Sequence, residues 1–329
     1  HWKMQFTKYS SIENSYRDKH INRIIEQGYG NEEFVVSSKL DGANFSFIYD
    51  GKEAEVASRN NVVDGTFFNC SSVIDKYKDS VTSLYNHLWL LLAKLNAPKL
   101  LNIQLFGELI GDGINNRVKY CTGREFIVFD LLITTTCDTY YCNYEALVDM
   151  LEHFNLFVLT PEHYKGNLRD CLDYCTNNLT FNSVIPKLLN NEYADLEVNC
   201  EEGFVIKPVK YLRLKTGDRV ILKCKSPEFK ENSNKVKTTK IIELTDEENN
   251  VLNSLTELVT DSRLYSVTSK LGKLSTNDFG KVLGLYIKDV IEDYSKDNDV
   301  KLITKPVDKQ LNKRCADCIR SIWLNLLDS

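Results

Sequence analysis

Lys39-Leu40-Asp41-Gly42 is the stretch from which the rest of this 329-residue chain is read. It stands between two β-rich runs, Phe34-Val35-Val36 and Asn44 to Tyr49, the second with Phe45, Phe47 and Tyr49 at alternate positions. A third run, Glu55 to Ser58, follows Asp50-Gly51, a hairpin-turn signal. A lysine amine attacks phosphoryl or carbonyl centres once it is neutral, and burial or neighbouring cations lower its pKa from about 10.4. Gly42 lets the chain turn tightly and bring that amine near a phosphate. Alone the string decides nothing. At residue frequencies of roughly 5–7% each it arises by chance in about one chain in ten of this length, and a surface hairpin is the ordinary reading.

The residues that follow in order change those odds. Arg59 lies at the end of a predicted strand. Phe106-Gly107-Glu108 ends a buried strand in a carboxylate, and Phe126-Ile127-Val128-Phe129-Asp130 ends another in an aromatic and an acid. Glu202-Gly203-Phe204-Val205-Ile206-Lys207-Pro208 sets an acid before a strand and a lysine at its end, and Val220 to Lys225 alternates Lys223 and Lys225 onto one face. Such a set can cradle a nucleoside triphosphate, with cations on phosphates, an acid on ribose, an aromatic on the base and an acid on a metal.

Outside these motifs the pattern is α+β. Ser10-Ser11 with Glu13-Asn14 predicts capping ahead of a helix reaching Gln27, stopped by Gly28 and Gly30. Ser72 to Leu95 reads as a helix, and Leu101 to Leu109 and Phe126 to Thr134 as buried strands. Composition shifts after Phe229. Three stretches are expected: a nucleotide-handling domain over 1–229, a linker over 230–244, and a helical domain over 245–329 with breaks at Gly272 and near Asp297.

Composition excludes other classes. At 43% hydrophobic and 26% charged the chain is ordinary for a globular protein, and its longest apolar run, Leu88 to Ala93, is far short of the ~18 residues of a membrane span. The ten cysteines read as reduced thiols, the single CxxC pair Cys315/Cys318 included. No phosphate-loop, HExxH or GxSxG string is present. The first residues carry no secretory pattern, so an intracellular, cytoplasmic location is expected. Net charge is -5, yet Val205 to Lys240 holds eleven Lys or Arg against three acids, enough for a phosphate-facing surface.

This series resembles the covalent nucleotidyltransferase superfamily, and within it the RNA ligase 2 family of phage double-strand-sealing and kinetoplastid RNA-editing ligases. Lys8-Tyr9-Ser10-Ser11-Ile12-Glu13-Asn14, Asn44-Phe45-Ser46, and Asp278-Phe279-Gly280-Lys281-Val282 with Gly284-Leu285 share in the likeness. It spans about Phe6 to Leu326. The resemblance implies an α+β adenylation domain (ATP-grasp-like) of antiparallel sheets with flanking helices, then a small all-helical domain. It implies that Lys39 attacks the α-phosphate of ATP to give lysyl-AMP, with Leu40, Arg59, Glu108, Phe129, Lys207, Lys223 and Lys225 handling the nucleotide. Of these, Arg59 contacts the nucleotide, Glu108 the ribose, and Phe129 stacks on adenine. Glu202 would hold Mg²⁺ (or Mn²⁺), and the three lysines would keep Lys39 deprotonated. Asp41, Asn44, Arg263 and Asp289 are the implied residues of the RNA steps.

The implied partner is RNA with 5′-phosphate and 3′-hydroxyl ends in a nicked duplex, handled by a monomer. Two positions depart from the family pattern: Ser38 stands where an acid usually precedes the nucleophile, and Asp41 where His is common. A DNA ligase and a GTP-using capping enzyme are the enzymatic alternatives, though each normally appends an oligonucleotide-binding barrel where helices are read here. A catalytically idle RNA-binding module is the third. Read without the resemblance, Phe129 is a core aromatic, Glu108 a strand-end acid, and Arg263 with Asp289 an exposed helix pair.

Overall fold

The computed structural model describes residues 5–154, 157–231 and 244–328, in two compact units, His1–Lys235 and Val236–Ser329. Most of the stretch read as a linker, with Lys235, Lys237 and Lys240 of the basic cluster, lies outside the described residues, as do residues 1–4.

In the first unit the order is β1 (Glu13–Asn14), α1 (Asp18–Glu26), β2 (Phe34–Lys39), β3 (Ala43–Tyr49), β4 (Ala54–Ser58), β5 (Val62–Val63), α2 (Ser71–Lys94), β6 (Leu100–Ile110) and β7 (Glu125–Thr135). There follow β8 (Thr139–Tyr141), α3 (Tyr144–Phe154), β9 (Val158–Leu159), β10 (Glu162–Gly166), α4 (Leu168–Asn177), α5 (Ile185–Leu188), β11 (Gly203–Pro208), β12 (Leu222–Lys225) and α6 (Pro227–Glu231). One sheet has the order β1-β12-β11-β2-β10 and the other β5-β4-β3-β6-β7-β8, with β9 beside β7. Pairing is antiparallel except at β1–β12 and β7–β9. The start of the chain differs from the expectation. Glu13-Asn14 pairs with Leu222-Lys223, and α1 begins only at Asp18 behind Arg17, so Glu13 and Asn14, read as part of a cap, belong to a sheet edge.

Alternation along each strand fixes which face is core. On the larger sheet Phe45, Phe47, Ile103, Leu105, Leu109, Phe126 and Val128 pack beneath Val73, Tyr77, Val81, Leu84 and Leu88 of α2. Burying each large apolar side chain is worth about 1.5–3 kcal/mol before chain entropy is counted. The period of two then leaves Asn44, Ser46, Gln104, Phe106 and Glu108 on the opposite face. In β7 the inward set changes parity, Phe126 and Val128 giving way to Leu131 and Ile133, because the ladder with β6 slips between Phe106 and Gly107. That bulge turns both Phe129 and Asp130 away from α2. On the smaller sheet Phe34, Val36, Phe204, Ile206 and Leu222 pack against Ile24 of α1 and Leu168, Cys171 and Cys175 of α4. Lys39, Ser37, Val205, Lys207, Lys223 and Lys225 therefore share its other face.

The second unit comprises α7 (Asp246–Thr256), α8 (Asp261–Thr268), α9 (Phe279–Ser295) and α10 (Lys305–Leu327) around Leu252, Leu255, Leu264, Val282, Tyr286, Val290, Leu311 and Ile319. Thr245 and Glu248 form a capping box at the start of α7, and Gly272 takes a left-handed φ of +69° in the break after α8. None of the ten cysteines, all among the described residues, is in a disulfide, and Cys315 is a buried core residue. No helix among the described residues is long and apolar enough to cross a membrane.

Candidate active site

Lys39 is the last residue of β2, and its Nζ lies 3.0 Å from Oε2 of Glu202, which stands just before β11. Glu202 is also 3.5 Å through Oε1 from Nζ of Lys225. The register places Gly203 opposite both Lys39 and Lys225, so the acid enters between two lysines of neighbouring strands. A Cβ at Gly203 would come 2.1 Å from the Cys224 carbonyl oxygen, which leaves no room there for a side chain.

The electrostatics reverse one expectation. Burial pulls the Lys39 pKa down, but Glu202, Glu108 and Asp41 outweigh it and hold the amine above its ordinary range. The surrounding lysines therefore do not keep Lys39 deprotonated: it is an ammonium ion with 22% of its side chain exposed, paired to a carboxylate that is 7% exposed. The amine brought close to neutrality is that of Lys223, lowered to about 8 by burial and by repulsion from Lys225, Lys39 and Arg59. Lys225 is lowered chiefly by burial.

Leu40, Asp41 and Gly42 carry the chain from one sheet to the other and pair in neither. Side chains take over where the ladders stop. The Asp41 amide donates to the Tyr120 hydroxyl at 2.8 Å, the Gly42 amide to Oε1 of Glu108 at 3.0 Å, and Nδ2 of Asn115 to the Gly42 carbonyl at 2.9 Å. Gly42 is needed for a reason other than turning: a Cβ there would lie 2.3 Å from the Leu109 carbonyl oxygen. Leu40, expected to handle the nucleotide, is buried among Ile110, Val118, Tyr120 and Phe229 and anchors the turn. Asp41 is 4% exposed, and its carboxylate accepts from Arg117 Nη2 at 2.8 Å and Nε at 3.1 Å. In this structure the acid expected among the RNA-step residues is thus enclosed and engaged by Arg117.

Glu108 faces Lys39 from the other sheet. Burial and the nearby Glu202 raise its carboxyl to about 8, against the pull of Lys39. Asn44 stands opposite Glu108 on β3, and its Oδ1 is buried with no hydrogen-bond partner among the described residues. Arg59 is exposed just beyond β4, close enough to depress Lys223. Ser38 points to the other side of β2, where its hydroxyl lies 2.6 Å from Nε2 of His163.

Phe129 is half-buried with its ring 4.8 Å from that of Tyr9. Beneath it Asp130, fully buried, meets Arg219 at 2.6 Å, the Tyr9 hydroxyl at 2.8 Å and Lys207 at 3.5 Å. Burial opposes ionisation of Asp130, yet Arg219 and Lys207 hold its carboxyl below the ordinary range. The Lys207 amine donates to the Phe129 carbonyl at 2.8 Å and is buried. It thus braces the backbone at Phe129, a different task from the phosphate contact expected of it.

Arg263 and Asp289 do come together, at 2.8 Å, and Arg263 also pairs with Asp293 while its Nε donates to the Leu258 carbonyl. These bonds fasten α8 to α9, so the pair expected in the RNA steps is engaged within its own unit. No group of three or more His, Cys, Asp or Glu able to hold a metal occurs among the described residues. Mg²⁺ commonly takes one or two carboxylates and completes its shell with phosphate oxygens and water, and the Glu202 carboxylate suits that mode.

Arg117, Tyr120, Asn115 and Glu201 escaped the sequence reading. They lie in connections without periodicity, and Arg117 and Tyr120 meet the Lys39 turn from more than seventy residues away. Arg219 lay within the basic cluster, where nothing separated a buried guanidinium from its exposed neighbours.

The RNA ligase family model matches residues 32–225, and the T4 RNA ligase 2 C-terminal model matches residues 242–320. Among solved structures, Naegleria gruberi RNA ligase with PPi is 19% identical with a TM-score of 0.46, covering 69% of this chain and 58% of that one. A variant of the same enzyme with AMP and Mn is 18% identical with a TM-score of 0.45, covering 70% of this chain and 60% of that one. The chain thus spans about three fifths of the length of these proteins.

Proposed function

The chain belongs to the RNA ligase family, and from that premise we propose that it is an ATP-dependent RNA ligase whose nucleophile is Lys39. The single observation that carries this reading is the position of the Lys39 amine. It lies at the junction of two sheets, within 3.0 Å of Glu202, with Lys223 and Lys225 on its own face and Glu108 facing it from the other sheet.

The neutral Lys39 amine attacks the α-phosphorus of ATP. A P–N bond forms, the bond to pyrophosphate breaks, and the amine gives up its proton. Because Glu202 holds the ammonium form, the amine is released only when that carboxylate is otherwise engaged. A divalent cation, Mg²⁺ or Mn²⁺, held by Glu202 would supply positive charge to the triphosphate. Lys225 and a protonated Lys223 neutralise developing phosphate charge in a site of low dielectric. Lys223, lowered to about 8, is a group able to exchange a proton near neutrality. Glu108 meets the ribose, Phe129 the adenine, and Arg59 the phosphates. Next a 5′-phosphate oxygen of RNA attacks the adenylyl phosphorus, freeing Lys39, and the adjoining 3′-hydroxyl displaces AMP to seal the strand. Nicked duplex RNA is the substrate class, and a cytoplasmic monomer the working form.

Incubation with α-labelled ATP or GTP and Mg²⁺ tests this. The expected outcome is an acid-labile protein–nucleotide adduct from ATP, none from GTP, and none with Lys39→Ala. No adduct from either nucleotide ends the ligase reading, and an adduct from GTP alone points to capping chemistry.

A further inference from the structure

Apart from Glu108, the residues that hold the Lys39 turn have had no part in the reaction so far. Three backbone polar groups of Asp41 and Gly42 are satisfied by the side chains of Tyr120, Glu108 and Asn115, and the Asp41 carboxylate by the two-pronged Arg117. The Tyr120 hydroxyl that accepts from the Asp41 amide donates in turn to Glu201, which is fully buried. Glu201 also accepts, at 3.1 Å, from the backbone amide of Glu202, the residue paired to Lys39. One chain of hydrogen bonds thus runs from the turn after the nucleophile, through Tyr120 and Glu201, to the backbone of the acid that meets the nucleophile. The Arg117 guanidinium lies 4.5 Å from the Phe229 ring centre, which fixes the plane of its fork against Asp41.

Building on the ligase reading above, we propose that Arg117 and the Tyr120–Glu201 pair are positioning residues for lysyl-AMP formation. They set the distance and direction of the Lys39 amine without touching the nucleotide. The geometry needs such residues because the ladder of β2 ends at Lys39 and the turn that follows joins two different sheets and pairs in neither, so that only side chains hold the backbone just beyond the amine. A small displacement of a nucleophile from its line of attack slows the chemical step while leaving substrate binding intact. Arg117 has a second task, since without it the enclosed Asp41 carboxylate would keep only the 3.4 Å contact from Nδ2 of Asn115, would have lost its cation two residues from the amine, and would draw the turn out of place.

Single-turnover adduct formation in the full chain, measured against ATP concentration at fixed Mg²⁺, separates these effects. Arg117→Ala is expected to lower the maximal rate about tenfold or more and to change half-saturating ATP by less than about twofold. Adding Asp41→Asn to Arg117→Ala is expected to recover a large part of that rate, because the buried charge that lost its cation is then gone. Arg117→Lys is not expected to recover it, because an ammonium lacks the fork. A wild-type rate in Arg117→Ala overturns the inference. So does a raised half-saturating ATP at an unchanged maximal rate, which would mean contact with the nucleotide, or a double variant as slow as the single one. Should Arg117→Ala fail to fold, Tyr120→Phe removes one oxygen from the same turn; it is expected to lose rate in the same way, and a wild-type rate there also overturns the inference. A wild-type protein that forms no adduct would instead overturn the ligase reading itself.

Discussion

Glu108 and Lys39 belong to different sheets, and each alters the charge of the other. With its carboxyl raised from the ordinary 4.5 to about 8, Glu108 binds a proton in the folded protein across an interval where the unfolded chain has lost it. The stability this group contributes is therefore complete below pH 4.5 and is lost as pH rises through about 8. Glu108→Gln keeps a neutral side chain of the same length and removes that titration. Between about pH 5 and about pH 8.5 the thermal midpoint of the wild type is expected to fall a few degrees further than that of Glu108→Gln. Equal changes in the two proteins would contradict the raised carboxyl. The residue scale is also where the sequence misled: it assigned Lys39 a surplus of positive neighbours, whereas three-dimensional pairing gives it Glu202 at 3.0 Å. Residue types along a chain state which charges are available, and only the fold states which of them meet.

Strand boundaries were legible because alternation is local. Phe45 and Phe47 in β3, and the apolar runs of β6 and β7, read as buried strands from their own residues and are buried strands. Features that depend on partners were not legible. The bulge that turns Phe129 and Asp130 to one face is a slip between β6 and β7, and the β1 pairing involves residues more than two hundred positions apart. Gly42 shows the same limit, since its glycine requirement comes from the approach of β6, 2.3 Å from where a Cβ would stand. Because that neighbour is backbone within a central strand, it cannot swing aside as a side chain would. Gly42→Ala is expected to cost about 1–3 kcal/mol of stability and to slow adduct formation with it. Denaturant unfolding checks the first effect, and an unchanged midpoint would show that the two strands part freely.

At the scale of the molecule each unit has its own core, two sheets and their helices in one and four helices in the other. The groups assigned here to nucleotide transfer, from Lys39 to Lys225, all lie in the first unit. A chain ending after Phe229 is therefore expected to keep adduct formation with ATP and to lose sealing of 5′-phosphorylated nicks in duplex RNA. Sealing at the full rate by that shortened chain would contradict a division of labour between the units. The sequence reading sets its own boundary at the change of composition after Phe229. What joins the units falls outside the described residues.

The proposed nucleophile is Lys39, held as an ammonium by Glu202, and not Lys223, whose pKa is the lower. Peptide mass spectrometry of the protein after incubation with ATP and Mg²⁺ decides between them. AMP on the peptide containing Lys39 is the predicted result; AMP on the peptide containing Lys223, or on neither, would contradict it.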